Sequence, residues 1–579
     1  MDEEAEQAGV RTVAVVGLGT AGAALARRCA DAGLRTIGVT ADAADADRAR
    51  RESAGTGIEV TCALEAVTAA GVIIEAVPER AAAKRAVLAA IAAHRAPGTP
   101  VLTTALTLTA AELAAASGGP GLHALRFVRA DRLTAVELAH APGTPERHTA
   151  VVLALLHRLG LKAHQVPDLP GSVAPVLLFA LLNQAAWMHE EGHASAAALD
   201  TAVRLGCGWP DGPLRTLDAI GLDTALDVLD GLHGRLGPRF QPPPGIRELV
   251  SQGALGAKAG RGYVCGTTAA ASAPATATPS TPVLAPAPVP GIGPVVVIGS
   301  GTMATGIGEV FLRGGYRTVL LARTAEKAAA ADEAVRFGLE RTAASGPDPA
   351  AAMTRWTATA DRSVLCRAGL VIEAVVEDPA VKRDLFAELG AVCAPGTLLA
   401  TTTSSLPVGE CGTASGRPAD VVGLHFFNPA PAMPLVELVR AAGTGEPALA
   451  TARRIVTGLG KTPVECADRT GFLVNALLFP YLNDALGLLE DGAVGPALLD
   501  AAVKSVGGQP IGPTRLLDTV GADVALTVAR RLYEQYGRRP EFAPAPLLER
   551  LVDGGFLGRK SAGRGVRAYL TEAAAAVAA

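Results

Sequence analysis

The second half of this chain repeats the first, and no other feature narrows its possible folds as far. RTVAVVGLGTAG, starting at Arg11, returns as GPVVVIGSGTMA, starting at Gly293. GVIIEAVPERAAAKR returns as GLVIEAVVEDPAVKR, and DGPLRTLDAIGLDTAL as IGPTRLLDTVGADVAL, so that Gly212 answers Gly512 and Asp218 answers Asp518. Repeats this long are whole domains rather than solenoid units. Between them, about Thr267 to Gly293, runs a Pro/Ala/Thr tract with no periodicity and almost no charge. It has no face to bury and reads as a semi-extended tether.

Each copy has one internal order. A short apolar strand enters a glycine-rich turn, strand and helix patterns then alternate, and a Leu/Ala-periodic helical segment follows. Alternating strands and helices predict an α/β, doubly wound parallel sheet. The expected fold is therefore a Rossmann domain followed by an all-α domain, the pair present twice in tandem. The expected boundaries are 9–167 and 168–265 for the first pair, 266–293 for the linker, and 294–467 and 468–579 for the second pair.

A formal charge of −4 and a pI near 6.2 give no electrostatic reason for nucleic acid or an anionic membrane as partner. MDEEAEQ lacks the order of a secretory leader, and the most apolar stretch, Val173 to Met188, is interrupted by Asn183 and Gln184. The eight cysteines are scattered, without a metal-ligand spacing. They read as reduced, mostly buried thiols of a cytoplasmic protein.

Gly17, Gly19 and Gly22 form a full G-x-G-x-x-G after VAVV, and Gly299 and Gly301 are followed by Ala304 in the second copy. Both sit strand-to-helix at the start of a βαβ unit, the setting in which such a turn brings backbone close to a pyrophosphate. The end of the next strand should carry an acid for an NAD ribose. The second copy has Ala322, Arg323 and Thr324 there, which tilts the expectation from NAD towards NADP, while in the first copy Asp42 comes two positions late. Further on, GLHFFNPAPAMPLVE carries His425, Asn428 and Glu437, with Glu437 expected on a strand near His425. A carboxylate-held imidazole is a competent proton acceptor. The alternative is a histidine that merely satisfies itself beside Phe426 and Phe427.

GSGTMATGI, VIEAVVE, TTTSSL, GLHFFNPAPAMPLVELV, DRTGFLVNALLFPYLNDA, IGPTRLLD and LGRKSAGRG together make the second copy, from about Pro294 to Ala568, resemble the 3-hydroxyacyl-CoA dehydrogenase family, of the 3-hydroxybutyryl-CoA type. The resemblance implies an NAD(P)-dependent oxidoreductase of fatty acid metabolism with an acyl-CoA substrate, acting in the cleft between its two domains. Carried over by position, His425 is the base for the 3-hydroxyl and Glu437 orients it. Ser404 and Asn475 hydrogen-bond the reacting oxygen or the histidine. Asn428, Glu377 and Lys382 lie on loops lining the cofactor and active site. Thr402 stands where the family has Asn, and Ala476 where it has a basic residue. Two readings remain beside this one: the same fold acting on 3-hydroxyadipyl-CoA or a free hydroxy acid, and a scaffold that binds nucleotide without turnover.

The first copy keeps Glu79, Lys84 and Glu137 at matching places, but Arg126 or Leu125 stands where the base belongs, Leu106 for Ser404 and Pro175 for Asn475. His123 is out of register and is expected at the surface. The family's helical domains commonly dimerise, so the two here are expected to pair within the chain or in a homodimer.

Overall fold

The computed structural model describes residues 10–266, 288–341 and 348–578, which leaves most of the expected linker outside the described residues. Each copy builds one eight-stranded sheet. In the first, β1 (Thr12–Val16), β2 (Arg35–Val39), β3 (Ile58–Thr61), β4 (Val72–Glu75), β5 (Val101–Thr103), β6 (Leu122–Arg126), β7 (Ala135–His140) and β8 (Lys162–Gln165) lie in the order 3-2-1-4-5-6-7-8. In the second, β9 (Val295–Ile298), β10 (Thr318–Leu321), β11 (Trp356–Thr359), β12 (Leu370–Glu373), β13 (Leu398–Thr401), β14 (Val421–Phe426), β15 (Leu435–Arg440) and β16 (Thr462–Ala467) repeat that order. The strand order reverses between β1 and β4, and between β9 and β12, which opens a ligand crevice at the carboxyl ends of those strands.

The sheets are not parallel throughout. β6 with β7, and β14 with β15, pair antiparallel, and the last strand of each sheet then runs parallel to the reversed one. The reversal comes from the hairpin carrying His425 and Glu437. An antiparallel ladder sets two residues directly opposite each other, here His425 and Glu437.

The helical domains begin with Ala174–Glu190 and Val474–Glu490, helices buried on almost every face. A helix apolar all round belongs in a core, and these two pack on each other inside the one chain. Arg239 of the first domain donates to Asp484 of the second and to Gln184, and Gln184 donates to the Tyr536 hydroxyl across the same seam. One apolar cluster runs through both helical domains. The repeated Asp218 and Asp518 tie each domain's end back on itself, accepting backbone N–H groups from Tyr263, Val264 and Cys265 and from Val566. No described helix is long and apolar enough to cross a membrane.

Candidate active site

His425 and Glu437 are cross-strand neighbours on β14 and β15. The imidazole Nδ1 lies 2.6 Å from Glu437 Oε2. A carboxylate only accepts, so Nδ1 is the donor and Nε2 is left as the basic nitrogen. Glu437 is fully buried. Its other oxygen accepts from Leu473 N (3.1 Å) and Val474 N (2.8 Å), amides at the start of helix Val474–Glu490 that have no partner within the helix. Phe472 makes this possible by adopting φ +48°, which turns the chain so that both N–H groups face the carboxylate. The His425 ring packs against Phe427 and Phe472, at centroid distances of 4.7 and 5.4 Å. Nε2 has no hydrogen-bond partner among the described residues.

The dinucleotide turn stands at the mouth of the same sheet. Gly299 has φ +134°, and a Cβ there would lie 2.4 Å from the Ala374 carbonyl oxygen. Gly301 begins helix Thr302–Arg313 with no side-chain cap, and nothing lies within 4 Å of where its Cβ would be. Ala304 is buried under the turn. The open, uncapped helix start fits a pyrophosphate group, because the first-turn N–H groups need an acceptor. Beyond β10, Ala322 is buried, Arg323 is exposed without an ion pair among the described residues, and Thr324 Oγ1 accepts from Lys327 N.

Lys382 departs from expectation. It lies in helix Pro379–Val392 rather than on a loop, almost wholly buried, with Nζ 2.7 and 2.8 Å from the two Glu373 oxygens and 3.3 Å from Glu377. A buried ammonium needs such carboxylates around it, so Lys382 is a strut that ties the end of β12 to the Glu377 loop. Glu377 gathers the TTTSSL turn, accepting from Thr403 Oγ1 (2.7 Å) and from the N–H groups of Ser404 (3.0 Å) and Ser405 (3.2 Å). Burial pushes the Glu377 carboxyl up, but Lys382 and these donors outweigh it and hold it below the ordinary value.

The remaining sequence candidates make no hydrogen bond to the pair among the described residues. The Ser404 hydroxyl is half-buried, 3.4 Å from Glu377. Asn475 is half-buried at the second position of its helix, and Asn428 is exposed on the hairpin loop. Sequence reasoning missed three residues. Arg531 reaches from helix Ala522–Gln535 to the Ser405 hydroxyl and so bridges the two domains beside Ser404. Lys461 holds the hairpin loop through the carbonyls of Ala430 and Met433, each at 2.7 Å, and its burial lowers its pKa to about 8. Asp468 accepts from Val408 N and Gly409 N. The repeat could have revealed Asp468, because Asp168 does the same for Ala110 and Ala111. It could not have revealed Arg531, which answers a glycine, Gly231.

The model of the 3-hydroxyacyl-CoA dehydrogenase NAD-binding domain matches residues 50–168 and 294–469, and that of the same family's C-terminal domain matches 171–265 and 471–569. The chain belongs to the 3-hydroxyacyl-CoA dehydrogenase family. Among curated members, 3-hydroxybutyryl-CoA dehydrogenase of Mycobacterium tuberculosis H37Rv is 42% identical over 279 residues, 47% of this chain and 97% of that protein. The 3-hydroxyadipyl-CoA dehydrogenase of Escherichia coli K12 is 37% identical over 285 residues, 48% of this chain and 60% of that protein. A solved 3-hydroxybutyryl-CoA dehydrogenase from E. coli K12 covers 95% of this chain and 100% of its own at 22% identity, with a TM-score of 0.59. At that identity the likeness is one of fold, and it extends across both copies.

Within this dehydrogenase chain the first copy lacks the pair. β6 and β7 set Arg126, not Leu125, opposite Glu137. The Arg126 guanidinium turns away and donates to Ala105 O, Leu108 O and Asp168. Glu137 keeps the two helix-start amides, Val173 N and Ala174 N, but has no imidazole, and burial raises its pKa. His123 is buried, not at the surface as expected: it sits on β6 against His140 and bonds Thr149. The Glu79–Lys84 strut survives, with Leu106 in the place of Ser404. The first copy still encloses a cavity of about 610 Å³, lined among others by Gly17, Gly19, Glu79, Leu106 and Asp227.

Proposed function

We propose that the second copy carries out reversible hydride transfer between NAD(P) and C3 of a short-chain (3S)-3-hydroxyacyl-CoA such as 3-hydroxybutyryl-CoA. The observation that carries this reading is the 2.6 Å contact between His425 Nδ1 and Glu437. It fixes the tautomer, so that Nε2 takes the proton of the substrate's 3-hydroxyl during oxidation and returns it during reduction. Buried Glu437 balances the imidazolium formed in between. Ser404 and Asn475, both half-buried, would donate to the C3 oxygen as it gains negative character. The nicotinamide, when bound, supplies or accepts the hydride. Gly299, Gly301 and Ala304 would hold its pyrophosphate, with Glu377 and Asn428 towards the reacting end and Arg323 favouring a 2′-phosphate.

Purified full-length protein assayed with acetoacetyl-CoA, with NADH and NADPH side by side, tests the reading. Turnover that His425→Ala removes supports it, and no reduction with either cofactor rejects it. Arg531 places a cation beside Ser404, where the free carboxylate of a dicarboxyl-CoA would find a partner, so 3-oxoadipyl-CoA belongs in the same assay. The Gly17, Gly19 and Gly22 turn we read as a second dinucleotide site without proton-transfer groups. Calorimetric titration should then give two nucleotides per chain, falling to one with Gly17→Val.

A further inference from the structure

The wall behind Glu437 is not made by the second copy alone. Helix Ala196–Cys207 of the first helical domain packs against β15 and β16, and against helix Val474–Glu490. Just before that helix, the His193 carbonyl accepts the N–H of Ala467 at the end of β16, at 3.2 Å. At its other end Gly206 approaches so closely that a Cβ would stand 2.8 Å from Val474 Cγ2 and 3.0 Å from Leu435 Cδ2. Val474 supplies one of the two N–H groups that hold Glu437, and Leu435 lies two residues before Glu437 on the same strand. Cys207 is close enough to that carboxylate for its charge to add to burial in pushing the thiol up to about 12. The mirror contact, helix Pro496–Ser505 on β7 with Ser505 Oγ 2.7 Å from His164 Nε2, lies behind Glu137, which has no histidine to hold.

We propose that the first copy positions the catalytic carboxylate. Gly206 is the spacer that lets helix Ala196–Cys207 rest on Val474 and Leu435, and that spacing sets Glu437 against His425. Gly206 touches neither substrate nor cofactor, so it is a positioning residue. The proposal gives the first copy a task it can perform without a base of its own, and it rests on the reading of His425 and Glu437 above.

The test uses the full chain with Gly206→Ala, Val474→Ala, the double variant, and Ser505→Ala as the mirror control. In an open helix Gly→Ala is stabilising, so a loss at Gly206 reports the contact. Val474 is β-branched and has few rotamers through which to retreat. Gly206→Ala should lower kcat about tenfold with little change in cofactor KM. Val474→Ala makes room for the new methyl, so the double variant should recover most of that loss relative to Val474→Ala alone. Ser505→Ala should leave kcat in place. The proposal is overturned if Gly206→Ala leaves kcat unchanged, or if activity falls only with Tm and the double variant gains nothing. Full activity in His425→Ala would overturn the base assignment and this proposal together. With His425→Ala inactive, the Gly206 series alone decides.

Discussion

His425 and Arg126 occupy one place in two copies of one fold. Each faces a buried glutamate across an antiparallel pair, and each glutamate holds two amides at the start of a long helix. The imidazole meets its carboxylate, whereas the guanidinium bends past it to Asp168 and two backbone carbonyls. The cradle for a charge-balanced base thus survives where the base has gone. That cradle is a property of the scaffold, while catalysis needs one particular side chain standing in it.

The sharpest way to break this comparison is to remove the imidazole. His425→Ala should lower kcat by about 10²–10⁴, or about 3–5 kcal/mol of barrier, with cofactor affinity little changed. Residual turnover above a tenth of the parent's would mean that the first copy, or another group, moves the proton. The opposite change in the first copy should damage stability and not catalysis. Arg126 is fully buried and paired with Asp168. Arg126→Met should cost about 3 kcal/mol, near the lower figure for breaking a buried pair, because Asp168 keeps its two amide donors. That corresponds to a Tm lower by about 10 °C for a domain of this size. Calorimetry checks it, and an unchanged Tm would show that the ion pair is not structural.

Much of this contrast could be read from the chain before any coordinates. The glycine turns, the strand–helix alternation and the tandem repeat are local patterns that survive in sequence. The pairing of His425 with Glu437 was also within reach, because a hairpin of two apolar strands leaves few registers. The choice between Leu125 and Arg126 was not. The spacing to the glutamate is eleven residues in the first copy and twelve in the second. With side chains alternating every residue, a one-residue difference in the connecting loop decides which face looks at the carboxylate. Lys382 misled for another reason: a lysine near a cofactor loop and a lysine buried between two carboxylates look alike until the neighbours are known. In the sequence His123 reads as a surface residue, because the groups that cover it, His140 on β7 and Thr149, are known only once the hairpin has closed.

That buried histidine gives a smaller, pH-dependent test confined to the first copy. Burial first, then the neighbouring His140 and His148, lower the His123 pKa from 6.5 to about 4, with Thr149 the partner of its Nε2. The unfolded chain therefore binds a proton between pH 6.5 and 4 that the folded chain refuses, so stability falls as the pH drops through that window. The effect is of order 3 kcal/mol once complete. His123→Leu should flatten the pH dependence of Tm between 6.5 and 4. A slope identical to the parent's would assign the acid sensitivity elsewhere.

The smallest expected effect concerns the ends of the second strands, where the copies differ again. Gly17 N and Gly299 N bond the carbonyls of Val39 and Leu321, which aligns Thr40 and Ala41 with Ala322 and Arg323. At this place the second copy carries Arg323, exposed and free of an ion pair among the described residues, where the first copy has Ala41. Arg323→Ala makes the second turn resemble the first at this point. It should cut kcat/KM for NADPH about tenfold, about 1.4 kcal/mol, while leaving NADH alone, since the diphosphate turn and the His425–Glu437 pair are untouched. Equal losses for both cofactors would mean that Arg323 supports the fold of the loop, and no loss for either would mean that it points into solvent and the family's NAD preference holds.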